Sequence, residues 1–201
     1  MRLLLLWFVL AACGCHAQSL DSLRRAAAAG SAPACMRLYE IYLNGEQGQK
    51  AHADSSWKYL QRAANANSAD AQYLLAIALL RGVQGKKDEL KAQTWLQRAA
   101  EQRNTAALDM LTEYYSNPAA SFGQARKLTS ADARKAYDYA HTSAGLGSAK
   151  GAWYMGKALH EGLGVARNDT LAVIWMTFAA VYGNFPEAQI TLGHWYYSGQ
   201  T

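Results

Sequence analysis

The sequence predicts an all-α fold, a right-handed α-solenoid superhelix of helix–turn–helix repeats. Three observations lead there. Ala is abundant and Pro scarce, with 3 prolines in 201 residues; Ala loses no side-chain entropy in a helix, and Pro is the strongest helix breaker. Two sets of apolar and small residues recur along the chain at matching intervals. Few stretches alternate apolar and polar residues with the two-residue period of a half-buried strand, and they suggest no sheet.

The first element is a leader. Met1-Arg2 gives a positive start, Leu3 to Leu10 an apolar run, and Ala11-Ala12-Cys13 a small-residue end, the three parts of a secretory signal peptide. The apolar run is about ten residues, too short to cross ~30 Å of hydrocarbon as a helix. Leu10-Ala11-Ala12-Cys13 resembles the bacterial lipobox at all four positions. That resemblance implies cleavage before Cys13, a diacylglycerol on its sulfur and acylation of the new amino group; stable anchoring takes more than one acyl chain. Gly14 stands where inner-membrane retention signals carry Asp, which implies an outer-membrane lipoprotein facing the periplasm of a Gram-negative envelope. Ordinary cleavage after Cys15-His16-Ala17 is the alternative and would leave the chain secreted but unanchored. The expected organisation is a signal peptide over 1–12, a short tether over 13–18 and a repeat domain over 19–201. In an oxidising compartment Cys15 and Cys35 can pair or stay apart, and Cys13-Gly14-Cys15 lacks the spacing of a zinc site.

Ser19 to Ala29 reads as the second helix of an incomplete unit and as an N-terminal cap. Four repeats and a final half repeat follow. In the first helix of each unit a large apolar slot holds Leu38, Leu75, Leu111, Met155 and Leu192, and the next residue is Tyr39, Ala76, Thr112, Gly156 and Gly193, mostly small. A second large slot holds Tyr42, Leu79, Tyr115, Leu159 and Tyr196, and a terminating slot Gly45, Gly82, Pro118, Gly162 and Gly199. Successive units are 37, 36, 44 and 37 residues apart. In the second helix Tyr59, Trp95, Tyr139 and Trp175 each precede by four residues a small pair, Ala63-Ala64, Ala99-Ala100, Ser143-Ala144 and Ala179-Ala180, at spacings of 36, 44 and 36. Residues four apart share a helical face, so each second helix carries one aromatic knob and one flat spot. The terminating Gly supplies the positive φ that ends the first helix. Asp88, Asp132 and Asn168, seven before the aromatic, are expected N-caps. One hairpin is too small to bury its own face, so the units must stack. The last unit stops after its first helix, which leaves Trp195-Tyr196-Tyr197 either partly buried backward or covered by a partner.

These motifs carry a family resemblance. Gly162-Leu163-Gly164-Val165, Trp175 and Ala179-Ala180 resemble the Sel1-like repeat, A-x-x-x-L-G-x-x-Y-x-x-G-x-G-V followed by D-x-x-K-A-x-x-W-x-x-x-A-A, and Asp88 to Trp95 fits its second half closely. The resemblance runs from about Ser19 to Thr201. Tyr39 replaces Gly in the first unit, and the third lacks both Gly and the Gly-Val loop, so these two units are expected to diverge.

Sel1-like arrays are similar to tetratricopeptide arrays, which implies a protein-binding scaffold whose first helices line a concave groove; the step rests on fold analogy. The groove positions would be Met36, Tyr73, Asp109, Trp153 and Ile190 in one row and Glu40, Ile77, Glu113, Lys157 and His194 in the next, with Arg37, Leu74, Met110 and Tyr154 beside them. Such a lining suits an interface with aromatic anchors. Trp153 and Tyr73 would alternatively pack between repeats. The eight extra residues of the 44-residue spacing fall between Tyr115 and Asp132, an insertion loop with Phe122 as a partner anchor or as a side chain folded back on the helices.

Catalytic motifs are missing. His160-Glu161 begins like a zincin helix, but Gly164 stands where the second His would be, and there is no nucleophile elbow or Walker loop. His52, His141 and His194 fall in different units, so no metal site is expected, and no cofactor. The net charge of +5 is scattered, with no basic run longer than Arg24-Arg25 or Lys86-Lys87, which excludes the basic stripe of a nucleic-acid reader. Cysteine-rich relatives associated with β-lactams carry a cysteine pair in every unit; this chain does not. The expected partner is a protein. Small exported Sel1-like proteins include immunity proteins against type VI secretion lipase effectors, so a secreted toxin is the sharper expectation. An envelope enzyme acting on peptidoglycan is the alternative, and its paired carboxylates would have to be Glu40 and Glu113, two units apart.

Overall fold

The structure, a computed structural model, describes residues 19–83, 85–117 and 127–199. The expected leader over 1–12, Cys13, Cys15, Phe122 and the residues after Gly199 lie outside them. Among the described residues there are ten α-helices and no strand. The chain divides into two compact units, Met1–Ala66 and Asn67–Thr201.

The first unit holds α1 (Leu20–Ala28), α2 (Ala32–Asn44) and α3 (Ala53–Asn65). Each begins on a side chain that accepts an otherwise orphaned backbone N–H: Ser19 for α1, Ser31 for α2 and the His52 ring for α3. His52 stands seven residues before Tyr59, the slot that Asp88 and Asn168 fill elsewhere. Gly45 closes α2 with φ 74°. Leu23, Leu38, Ile41, Leu60 and the pair Ala63-Ala64 form the buried centre. The Tyr42 and Tyr59 rings stack 5.6 Å apart, so the second large slot of one helix meets the aromatic slot of the next. Cys35 is a buried free thiol, and burial pushes its pKa up.

The second unit holds α4 (Ala69–Arg81), α5 (Glu89–Glu101), α6 (Thr105–Ser116), α7 (Ser130–Gly145), α8 (Ala149–Glu161), α9 (Asp169–Thr177) and α10 (Pro186–Ser198), each packed on the next. One apolar cluster gathers around Leu96, Leu108, Leu111 and Tyr115, a second around Met155, Leu159, Met176 and Trp195. Both repeat frames become packing. The pairs Ala99-Ala100, Ser143-Ala144 and Ala179-Ala180 are all buried. Tyr115 stacks on Tyr139 at 5.8 Å. Gly156 lets α9 come close: a Cβ there would lie 3.1 Å from the Ala172 carbonyl oxygen and 3.2 Å from Met176. Asp88 and Asn168 cap α5 and α9 as expected.

Asp132 does not cap α7. Thr129 does, and Asp132 accepts the Thr129 N–H in return, a capping box three residues upstream of the expected start. Three of the eight inserted residues thus extend α7, which has 16 residues where α5 has 13.

The structure adds a third periodic frame. Gly30, Asn67, Arg103, Gly147 and Asn184 all have positive φ, and each directly precedes the N-cap of a first helix, Ser31, Ser68, Asn104, Ser148 and Phe185. The Asn104 and Ser148 N–H groups donate back five residues, to Ala99 and Ser143. The Phe185 N–H donates back six, to Ala179, because Phe178–Tyr182 forms a π turn at the end of α9.

Beyond that turn, Trp195 packs backward, 6% exposed with its ring tilted against the His160 ring at 4.3 Å, whereas Tyr196 and Tyr197 are 60% and 94% exposed.

Candidate partner-binding site

The expected contact residues sit on α2, α4, α6, α8 and α10, and they are not equally available. In the first unit Arg37 bonds to Glu40 at 2.9 Å and Glu46 at 2.8 Å, and Asn44 donates to Glu46. The Glu40 hydrogen bond first, then Glu46, raises the Arg37 pKa, and Asn44 first, then Arg37, lowers that of Glu46. This is a local exposed ion cluster, of the kind that contributes little to stability.

In the second unit Tyr73 is half-buried and packs against the α5–α6 cluster, and Ile77 is half-buried on α4. Asp109 is not the open groove carboxylate expected from its row. Both its oxygens are taken, one by the Ser143 hydroxyl and one by that of Ser148 at 2.7 Å, which ties α6 to the turn between α7 and α8. Burial raises its pKa against these two hydrogen bonds and Lys150. Glu113 accepts from Lys150 at 2.8 Å. Trp153 packs between helices: its Nε1 donates to Thr191 at 3.3 Å, and its ring lies 5.7 Å from Phe185. Lys157 carries its ammonium 5.0 Å above the Trp153 ring. His194 is exposed on α10. Phe122 and Cys13, the expected lipidation site, fall outside the described residues.

A cavity of about 540 Å³ opens between α6, α7 and α8. Ala133, Ala136 and Ala140 give it a small-residue wall, Tyr137, Trp153 and Tyr154 an aromatic one, and Leu128 and Leu163 line it from the segments flanking the helices. Tyr154 has its phenol pushed up to about 12, by burial first and then by Glu113. Lys157 and Glu161 supply the charge. Of the lining residues, sequence reasoning names Trp153, Tyr154 and Lys157 as groove positions but not Leu128, Tyr137 or Leu163. The position of Tyr137 holds Trp57, Gln93 and Val173 in the other units, so alignment of the repeats gives no consistent signal. The 44-residue spacing was the available clue that the third unit differs from the others. Among the described residues no group of three or more His, Cys, Asp or Glu side chains is placed to hold a metal ion.

Against known proteins, the Sel1 repeat profile matches residues 32–68, 69–104, 121–148 and 149–180, more than half of the chain. The chain belongs to the Sel1 repeat family. Its fold is accordingly an all-α solenoid, and Sel1 repeat proteins are generally protein-interaction scaffolds and typically non-catalytic. The chain is similar to a Sel1 repeat protein from Oxalobacter formigenes, 28% identical with a TM-score of 0.70, over 88% of this chain and 68% of that one. It is also similar to a protective antigen with an SLR fold present in uropathogenic Escherichia coli strains, 25% identical with a TM-score of 0.52, over 90% of this chain and 44% of that one. This chain therefore spans less than half of the E. coli protein. No curated protein matches its sequence.

The Sel1 matches fall on helix pairs. The first takes in α2 and α3, the second α4 and α5, the fourth α8 and α9, while the third includes α7 but not α6. The first repeat, expected to diverge because Tyr39 replaces Gly, matches across both helices: Tyr39 is only half-buried there and needs no close approach. The third repeat does diverge, and the cavity lies where it does.

Proposed function

We propose that this chain is a non-catalytic scaffold of the bacterial envelope that binds a protein partner through the first-helix side of its Sel1 repeats. The observation that carries the reading is the cavity between α6, α7 and α8, with an apolar and aromatic lining and charge at its mouth, in a family of protein-interaction scaffolds. Leu10-Ala11-Ala12-Cys13 supports export and acylation at Cys13, hence a lipoprotein in the outer membrane facing the periplasm. The partner is a secreted toxin of the type VI lipase class, and the chain is its immunity protein; the resemblance to exported Sel1-like immunity proteins supports this. The peptidoglycan-enzyme alternative gains nothing from its two carboxylates, since Glu40 and Glu113 are each held by a cation.

The test is neutralisation. The full chain is co-expressed with a periplasm-directed phospholipase-type effector encoded beside its gene. Survival of the cells together with a stoichiometric complex on gel filtration supports the immunity reading. Cell lysis with no complex sinks it, and turnover of muropeptides by the purified chain would sink the scaffold reading as well.

A further inference from the structure

The open flank of the second helices is polar in three repeats and apolar in the fourth. Where α9 has Leu171, the helices α3, α5 and α7 have Ser55, Lys91 and Lys135. Where it has Ile174 they have Lys58, Thr94 and Asp138, and where it has Phe178 they have Arg62, Arg98 and Thr142. Leu171 and Ile174 are 42% and 55% exposed, and Val181 and Tyr182 on the following π turn 64% and 79%. The buried residues Ala172, Met176 and Ala179 lie on the opposite side of the helix, so packing within the repeat does not account for an apolar outer flank. A contiguous apolar patch where the sister helices are polar is a docking surface.

The flank is self-complementary. Residues three and four apart share a face, which aligns Leu171, Ile174 and Phe178. The wider π turn brings Tyr182 into the same row, its ring 5.9 Å from that of Phe178. A second α9 laid antiparallel sets Ile174 against Phe178 and Leu171 against Tyr182, twice over, as a two-fold axis requires. No residue of the row is charged, so two identical rows meet without like-charge repulsion. Asp169, in the first turn of α9, is already paired with Arg167 at 2.9 Å. A lipid surface suits the row less well: α9 and its π turn contain no Lys or Arg, which a helix lying on a membrane carries on its polar face. At their exposures Leu171, Ile174, Val181 and Tyr182 leave roughly 500 Å² open, so a symmetric pair buries on the order of 1,000 Å² in all, the lower bound of a specific interface.

We propose that α9 forms the interface of a symmetric dimer, in which a second copy of this chain docks its own α9 antiparallel along Leu171, Ile174, Phe178 and Tyr182. The interface uses no residue of the first-helix groove, so it stands apart from the binding of a protein partner there.

Two measurements on the full chain test this. Sedimentation velocity on the purified chain should show a dimer with a dissociation constant on the order of 10 μM, as for a small interface. Ile174→Asp, which copies Asp138 of α7, should weaken it at least about tenfold with circular dichroism unchanged. Leu171→Lys and Tyr182→Glu chains should each be monomeric where the parent pairs, and should pair again when mixed, because the two-fold sets one position against the other. In cells, benzoylphenylalanine at Ile174 should give an adduct of twice the chain's mass, and at Thr94, its counterpart on α5, none. A chain that stays monomeric up to about 100 μM, a dimer indifferent to Ile174→Asp, or charged variants that do not recover on mixing would overturn the proposal. An adduct at Ile174 with lipid or with a protein of another mass would give the flank to that occupant and overturn it equally. None of these results bears on the scaffold reading, which neutralisation tests separately.

Discussion

Asp109 illustrates what a side chain's row cannot reveal. Its position on α6 matches the groove row, yet the serines of the neighbouring hairpin, 34 and 39 residues further on, take both its oxygens. Burial raises its pKa above the ordinary 3.8, so protonation favours the fold. That contribution is complete below the unfolded value and fades as pH rises through the higher folded one. At neutral pH the buried anion opposes folding. Asp109→Asn, which removes the charge but keeps one acceptor, should therefore gain on the parent with increasing pH: the difference in Tm, variant minus parent, is expected to be lowest near pH 3.5 and to rise by pH 7. A difference flat across that range would contradict the assignment. Gly156 gives a steric counterpart. Gly156→Val pushes a side chain into the Ala172 carbonyl and Met176, and overpacking of this kind costs about 1–3 kcal/mol, measurable by urea denaturation. A variant as stable as the parent would mean that α9 yields freely.

Most helices are readable in the sequence because their ends are written in side chains. Ser, Asn and Asp caps and the terminal glycines mark them. Two ends escape. Asp132 looks like a cap by its spacing, but the insertion moved the helix start upstream to Thr129, and spacing alone cannot tell where a longer connection resumes helix. The π turn is subtler. The small-pair frame advances 36 residues from Ser143 to Ala179, while the first-helix frame advances 37 from Met155 to Leu192. One extra residue must be absorbed between Ala180 and Leu192, and the helix takes it as a π turn at Phe178–Tyr182. Deleting exposed Val181 should restore an α-helical turn. Helical circular dichroism is expected to be unchanged and Tm to shift by no more than about 3 °C, roughly 1 kcal/mol for a chain of this length. Loss of cooperative unfolding would show that the π turn is required rather than accommodated.

For the molecule as a whole, periodicity identifies the fold, since two frames with the same spacing leave little besides a stacked helical array. The binding site is less readable. Periodicity assigns a residue to a face, but Trp153 and Tyr73 turn that face into packing, and Leu128, Tyr137 and Leu163 line a cavity at positions the repeat frames do not mark. The leader makes its own prediction: Cys13→Ser should abolish labelling by radioactive palmitate and release the chain from the outer-membrane fraction, and persistent labelling would refute anchoring at Cys13. The central claim, binding of a protein through the α6–α8 side, is met most directly by in-cell photo-crosslinking. Benzoylphenylalanine is placed singly at Lys157 and Met110, and, as controls on α5 and α7, at the exposed positions Lys91 and Asp138. One protein adduct of a single mass at Lys157 and Met110, absent at the controls, is the predicted result. No adduct at Lys157, or equal adducts at all four positions, would contradict the account.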